Sequence, residues 1–147
     1  MINNNYPISK LDFLLGAWDL KYKVPKSILS EADTGTGSGE FKRILNDKYV
    51  SFDYSAKLSS MEASAHAVFA WDEKLKIYMY WWFESSGNYL NAACNFINDD
   101  TLCLNWHNSL LVQTFTKKGP GKIILQMKYP VSDAKYEIIM EVSFTRK

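Results

Sequence analysis

Leu11-Asp12-Phe13-Leu14-Leu15-Gly16-Ala17-Trp18-Asp19-Leu20 is the stretch whose reading decides the fold. Residues 7–15 read as a single helical turn: Pro7 opens it, Ser9 caps it, and Leu11, Leu14 and Leu15 make one apolar face. Gly16 ends that turn. From Ala17 the period switches to two, with Trp18, Leu20, Tyr22 and Val24 alternating against Asp19, Lys21 and Lys23. This is the pattern of a half-buried strand, and Pro25 stops it.

Working outward, Gly35, Gly37 and Gly39 lead into a strongly bent strand of the kind that turns a barrel corner. Their spacing is wrong for a dinucleotide fingerprint, and no amphipathic helix follows. Further strands are expected at about 39–46, 48–57, 61–71, 75–84, 88–97, 100–107, 110–118, 121–130 and 135–146. Turn chemistry separates them, as at Asn46-Asp47, Asp72-Glu73-Lys74, Ser85-Ser86-Gly87, Asn98-Asp99-Asp100, His107-Asn108-Ser109 and Gly119-Pro120-Gly121. With the first strand this makes about ten in an antiparallel up-and-down meander, which avoids exposed edges by closing on itself. The expectation is an all-β barrel forming a single domain over residues 1–147, its short N-terminal helical turn closing one end.

Side-chain faces propagate through hairpins, because directly opposed residues share a face. Starting from the last strand, Tyr136, Ile138, Met140, Val142 and Phe144 point inward, with Ile139 as an exception; Ile123, Leu125, Met127 and Tyr129 follow. Counting back across the turns gives Val112, Thr114 and Thr116, then Leu102, Leu104 and Trp106. Next come Tyr89, Asn91, Ala93, Asn95 and Ile97, and Leu75, Ile77, Met79, Trp81 and Phe83. Parity is weakest at Asp72-Glu73-Lys74, where composition favours Ala63, Ala65, Ala67, Phe69 and Trp71 inside. Alanines facing aromatics leave space in the interior, and Tyr22, Arg43, Asn91, Asn95 and Thr114 bring polar groups into it. These bond either to each other and trapped water or to a ligand. The outer face of the middle strands then carries Tyr78, Tyr80, Trp82, Leu90, Ala92, Cys94 and Phe96, an apolar patch that suits a homodimer.

Composition narrows the function classes. Seventeen basic and 16 acidic residues leave a net charge of +1, so there is no basic footprint for nucleic acid or anionic membrane. Aromatics reach 15%, which favours strands with large interior positions. No stretch is long enough for a membrane span, and Met1–Pro7 lacks the charged-then-apolar run of a leader, so a cytoplasmic protein is expected. Cys94 and Cys103, opposite each other across a two-residue loop at Asn98-Asp99, read as reduced thiols. His66 and His107 read as exposed or locally bonded, and no nucleophile elbow, metal motif or coupled carboxylate pair is present. No cofactor is expected.

Gly16-Ala17-Trp18 behind a helical turn resembles the opening of lipocalins and other calycins. The wider set Leu11–Trp18, Phe41–Leu45, Phe69-Ala70-Trp71-Asp72, Tyr78 and Trp82 resembles a bacterial group of lipocalin-like proteins without assigned function. The group is distantly similar to nitrobindin-like and fatty-acid-binding barrels. The resemblance implies a ten-stranded barrel around a small apolar or amphipathic molecule. It also implies that an arginine near the last strand, here Arg146, packs over Trp18 as a cation–π plug at the closed end. Nitrobindin-like barrels hold haem through a histidine on a late strand, and no histidine follows His107.

The leading expectation is therefore a non-enzymatic carrier or sensor. Its ligand would be lined by Tyr22, Arg43, Trp81, Phe83, Asn91, Asn95, Trp106 and Met127, with Trp18 and Arg146 structural. An enzyme on an apolar substrate and an interaction module using the outer patch are the alternatives.

Overall fold

The computed structural model describes residues 7–147; the Met1–Tyr6 part of the opening segment lies outside them. Ten strands follow the N-terminal helix Pro7–Leu14: β1 (Gly16–Val24), β2 (Asp33–Ile44), β3 (Tyr49–Leu58), β4 (Glu62–Asp72), β5 (Ile77–Glu84), β6 (Tyr89–Asn98), β7 (Thr101–Trp106), β8 (Val112–Lys117), β9 (Lys122–Ser132) and β10 (Lys135–Arg146). Each strand pairs antiparallel with the next, and β1 also pairs with β10, so the sheet is a closed barrel. No helix among the described residues is long and apolar enough to cross a membrane.

The helix is a 3₁₀ helix, and its sequence fits that tighter coil. Ile8, Leu11 and Leu14 recur every third residue, which stacks them on one face at three residues per turn, and all three are buried. They plug one end of the barrel. Side-chain bonds fix the plug: Trp18 Nε1 donates to Leu14 O at 2.7 Å, Tyr78 OH donates to Pro7 O at 2.5 Å, and the Arg43 guanidinium reaches Asp12 Oδ1 at 2.7 Å. Arg146 Cζ stands 4.2 Å from the Trp18 ring centroid, while its Nη1 donates to Leu15 O and its Nη2 to Phe13 O.

Above the plug the interior is filled by phenylalanine. Phe41 and Phe52 stack with centroids 3.9 Å apart, and Phe115 meets Phe41 and Phe144 edge-on at 6.3 and 6.0 Å. β2 begins at Asp33, so the three glycines lie inside a strand rather than before it. They face inward opposite Tyr54, Ala56 and Leu58, and β3 passes so close that a methyl on Gly37 would overlap the Ser55 carbonyl.

Faces come out as expected on β1, β4 and β7, for Ile123, Leu125 and Met127 of β9, and for Met140, Val142 and Phe144 of β10. On β5, β6 and β8 they are inverted. The β8–β9 turn leaves Lys117 opposite Ile123, a residue longer than counted, so Gln113 and Phe115 point in and Val112, Thr114 and Thr116 point out. Ile97 is a bulge between the Phe96–Leu102 and Asn98–Thr101 pairs. It turns Asn91, Ala93, Asn95, Trp81 and Phe83 outward and brings Tyr78, Tyr80, Trp82, Leu90, Ala92, Cys94 and Phe96 inward. Cys94 therefore lies opposite Leu104, not Cys103, and both thiols are free. A second irregularity at Ile139 leaves Tyr136 and Ile138 on the outer surface.

Arg43 keeps its inward parity but lies below the core, donating to Asp12, Ser9 Oγ at 3.1 Å and Asp47 O at 2.7 Å. It clamps the helix to the β2–β3 turn and does not face an open interior. Removing the corresponding clamp on the other side gives a measurable loss: Arg146→Met should destabilise the fold by about 1–2 kcal/mol, read as a lower urea midpoint with an unchanged slope.

Candidate functional site

The end opposite the helix is open, and a cavity of about 220 Å³ descends from it to the phenylalanine layer. Phe52, Phe115 and Phe144 form the floor. Tyr22 on β1, Tyr54 on β3, Tyr80 and Trp82 on β5, Trp106 on β7 and Met127 on β9 supply the walls, each at an inward position of its strand. The alanines Ala56 and Ala63 line it where β3 and β4 pass, so the space exists because small residues face large ones. A wider depression of about 670 Å³ lies along the outer surface beside Asp53 and His66, where His66 Nδ1 meets Asp53 Oδ1 at 2.6 Å. Both side chains there are half exposed or more, and that surface lacks the enclosure and the buried polar groups of the interior.

The polar groups of the cavity are few and differ in how they are satisfied. Trp82 Nε1 donates to Tyr54 OH at 2.9 Å, and Trp106 Nε1 donates to Gln113 Oε1 at 3.3 Å. Indole N–H can only donate, so the second bond fixes which way the Gln113 amide is turned: its NH₂ group faces away from Trp106. Tyr80 is 2% exposed and Gln113 5%, yet the Tyr80 hydroxyl and the Gln113 NH₂ have no hydrogen-bond partner among the described residues. The Tyr22 hydroxyl has none either. No buried polar atom among the described residues is sealed off without a partner, so these groups reach the cavity space.

Burial sets the acidity of the phenols. The Tyr80 hydroxyl is pushed well above its ordinary value by desolvation, with the nearby Tyr54 adding to it. Tyr22 is raised for the same two reasons, and Tyr54 is raised by burial against the opposing bond from Trp82, with the Glu84 carboxylate adding to the rise. Glu84 is the one charged side chain on the lining and sits at the mouth, where Ser86 Oγ donates to it. It faces inward while Asp53 and Glu62 face out, so the three carboxylates do not form a set. Among the described residues no cluster of three or more His, Cys, Asp or Glu could hold a metal ion.

Of the residues the sequence nominated, Tyr22, Trp106 and Met127 lie together on the cavity wall. Trp81 and Phe83 are 44% and 50% exposed on the outside, Asn91 shares their outer face, and Asn95 is exposed with its Nδ2 near Lys76 O. Arg43 belongs to the closed end. The sequence reasoning missed Tyr54, Tyr80, Trp82, Glu84 and Gln113. Tyr80 and Trp82 had been placed on the outer face by the bulge at Ile97, and Gln113 by the turn after β8.

No family model and no curated protein sequence matches the chain. Solved structures match its fold. Rv2717c from M. tuberculosis aligns over 97% of this chain and 98% of its own with a TM-score of 0.65 and 9% identity. The S-type phycobiliprotein lyase CPES from Guillardia theta aligns over 95% and 91% with a TM-score of 0.55 and 8% identity. At such identities the likeness is one of fold.

Tyr80→Phe tests the unpartnered hydroxyl. Replacing a buried group that has no partner should leave stability at pH 7 unchanged or raise it by up to about 1 kcal/mol. The variant should also flatten the alkaline limb. Below pH 10 the phenol is neutral folded and unfolded; above it the unfolded chain loses the proton and the folded chain keeps it. Each such tyrosine therefore costs about 1.4 kcal/mol of stability per pH unit from pH 10 upward. Urea titrations at pH 7 and from pH 9.5 to 11 measure both effects.

Proposed function

We propose that the protein binds a small, largely apolar molecule inside the open end of the barrel. The observation that carries this reading is the pair of polar groups on largely buried residues, Tyr80 OH and Gln113 NH₂, that open into an apolar cavity without a partner among the described residues. These groups reach the open cavity, and a ligand that bonds to one of them gains about 0.5–1.5 kcal/mol per hydrogen bond. The volume of about 220 Å³ is below the usual range of drug-sized pockets, roughly 300–1,000 Å³, so the ligand is of one- or two-ring size. Burying about 200 Å² of its apolar surface would contribute roughly 5 kcal/mol before the costs of association. The ligand-lining set is then Tyr22, Tyr54, Tyr80, Trp82, Trp106, Gln113 and Met127, in place of the set expected from sequence. A protein that carries or senses such a molecule needs no catalytic group.

A second reading rests on the outer surface. Trp81, Phe83 and Tyr89 are 44%, 50% and 74% exposed, and Phe83 stands opposite Tyr89 across the β5–β6 ladder. Such a strip suits burial against a second copy of the chain. Sedimentation would then give a dimer for the native chain and a monomer for Trp81→Ser/Phe83→Ser, with binding inside the barrel unchanged.

Calorimetric titration with toluene, benzyl alcohol and indole tests the first reading. Toluene and benzyl alcohol should both bind. Gln113→Leu should weaken benzyl alcohol about tenfold and leave toluene unchanged. Failure of all three to bind at millimolar concentration would overturn the proposal.

A further inference from the structure

The chemistry of the cavity mouth narrows the ligand further, and this step rests on the reading that the cavity is a binding site. We propose that the mouth selects a small organic cation, a protonated amine or quaternary ammonium, whose apolar body lies on the phenylalanine floor.

Charge is the first argument. The lining holds one charged side chain, the Glu84 carboxylate, and no lysine, arginine or histidine. Glu84 is half-buried, accepts a hydrogen bond from the Ser86 hydroxyl, and forms no ion pair among the described residues. On its outer side Glu84 also borders the surface depression that His66 and Lys147 line, while Lys57 faces Glu62 across the outer surface at 3.9 Å. A carboxylate ligand entering the barrel would meet Glu84 with nothing of opposite charge on the cavity lining to offset the repulsion. A cation would find its counter-charge at the rim.

The aromatic walls supply the second argument. Trp82 and Trp106 meet edge to face with centroids 6.1 Å apart, and Tyr80 meets Trp106 the same way at 5.7 Å. Both indole N–H groups are already spent, on Tyr54 OH and Gln113 Oε1. What the two tryptophans still offer a ligand is π surface, whose negative potential attracts cations, most of all in a desolvated site. Aromatic walls with one carboxylate at the edge and no competing base are the elements of an ammonium cage. The phenol of Tyr54, next to Glu84, adds an oxygen that can accept from a protonated amine.

The polarity of the site also runs in one direction. Charge lies at the rim with Glu84, aromatic surface in the middle with Trp82, Trp106 and Tyr80, and hydrocarbon at the floor with Phe52, Phe115 and Phe144. A molecule with a cationic end and an apolar end matches this gradient in a single orientation.

Three probes of similar size and shape test the assignment by calorimetry at neutral pH: benzyltrimethylammonium, benzyl alcohol and phenylacetate. The expected order is cation tightest and anion weakest, with the cation about tenfold above the alcohol. Glu84→Gln should weaken benzyltrimethylammonium about tenfold and leave benzyl alcohol unchanged, which also shows that the variant barrel is intact. Benzyl alcohol binding as tightly as the cation, or phenylacetate binding tightest, would overturn the cation assignment while the binding function stands. An unchanged cation affinity in Glu84→Gln would overturn it as well. Absence of binding by all three would overturn both.

Discussion

The guanidinium of Arg146 joins parts of the chain that are far apart in sequence. It lies over Trp18 at the start of β1, donates to the backbone carbonyls of Phe13 and Leu15 where the helix ends, and belongs to the last residues of β10. This meeting is possible only because β10 pairs with β1, opposing Arg146 to Trp18. Closure removes the two free edges that a ten-stranded meander would otherwise expose. It also makes the interior a sealed column, in which every inward residue meets another side chain or faces a void. The helix fills the column from below, the phenylalanines fill its middle, and the remaining volume opens only at the top. The position of the cavity therefore follows from the position of the plug.

Sequence alone shows the closure well and the cavity poorly, for one physical reason. Alternation with period two locates strands and turns, but the face of each strand depends on the exact number of residues in the turn before it. The β7–β8 connection is one residue longer than His107-Asn108-Ser109 suggests, and the turn after β8 uses all of Gly119-Pro120-Gly121, one residue more than a count around Gly119-Pro120. The two errors cancel on β7, whose Leu102, Leu104 and Trp106 come out correctly, and leave β8 inverted. The bulge at Ile97 inverts β6 and β5 in turn, and the longer turn at Glu73–Lys76 restores β4. The strands read correctly are those tied to an independent composition signal, such as the alanines of β4 or the apolar row of β10. Across β5 and β6 both faces are apolar, so composition gave no check on the count. Tyr80, Trp82 and Gln113 were thereby assigned to the outer face, and Trp81, Phe83, Asn91 and Asn95 to the interior, the reverse of the structure.

The corrected faces change the chemistry more than the architecture. An interior carrying Asn91, Asn95 and Arg43 would have been a strongly polar pocket with a cation near its centre. The interior that forms carries tyrosine hydroxyls, one amide and a peripheral carboxylate. Phenols and an amide are neutral at physiological pH, and burial moves the phenols of Tyr22 and Tyr80 further from ionisation. They can therefore sit in hydrocarbon at modest cost where an arginine could not. Arg43 instead lies where its charge is matched by Asp12 and bonded on several sides. The sorting is physical: groups that must stay charged go to the closed end, where partners are fixed, or to the rim, where water reaches them.

That sorting also separates stability from the proposed binding along the barrel axis. Contacts that hold the fold, from Trp18 and Arg146 up to Phe41 stacked on the floor residue Phe52, lie at or below the cavity floor and have their polar atoms bonded. Contacts around the cavity include groups left open, and they gain partners only when something enters. A change at the mouth should thus move affinity without loosening the barrel, and a change at the plug should do the reverse. The two ends respond independently because the phenylalanine layer between them is apolar and closely packed, so it transmits neither charge nor hydrogen bonds from one to the other.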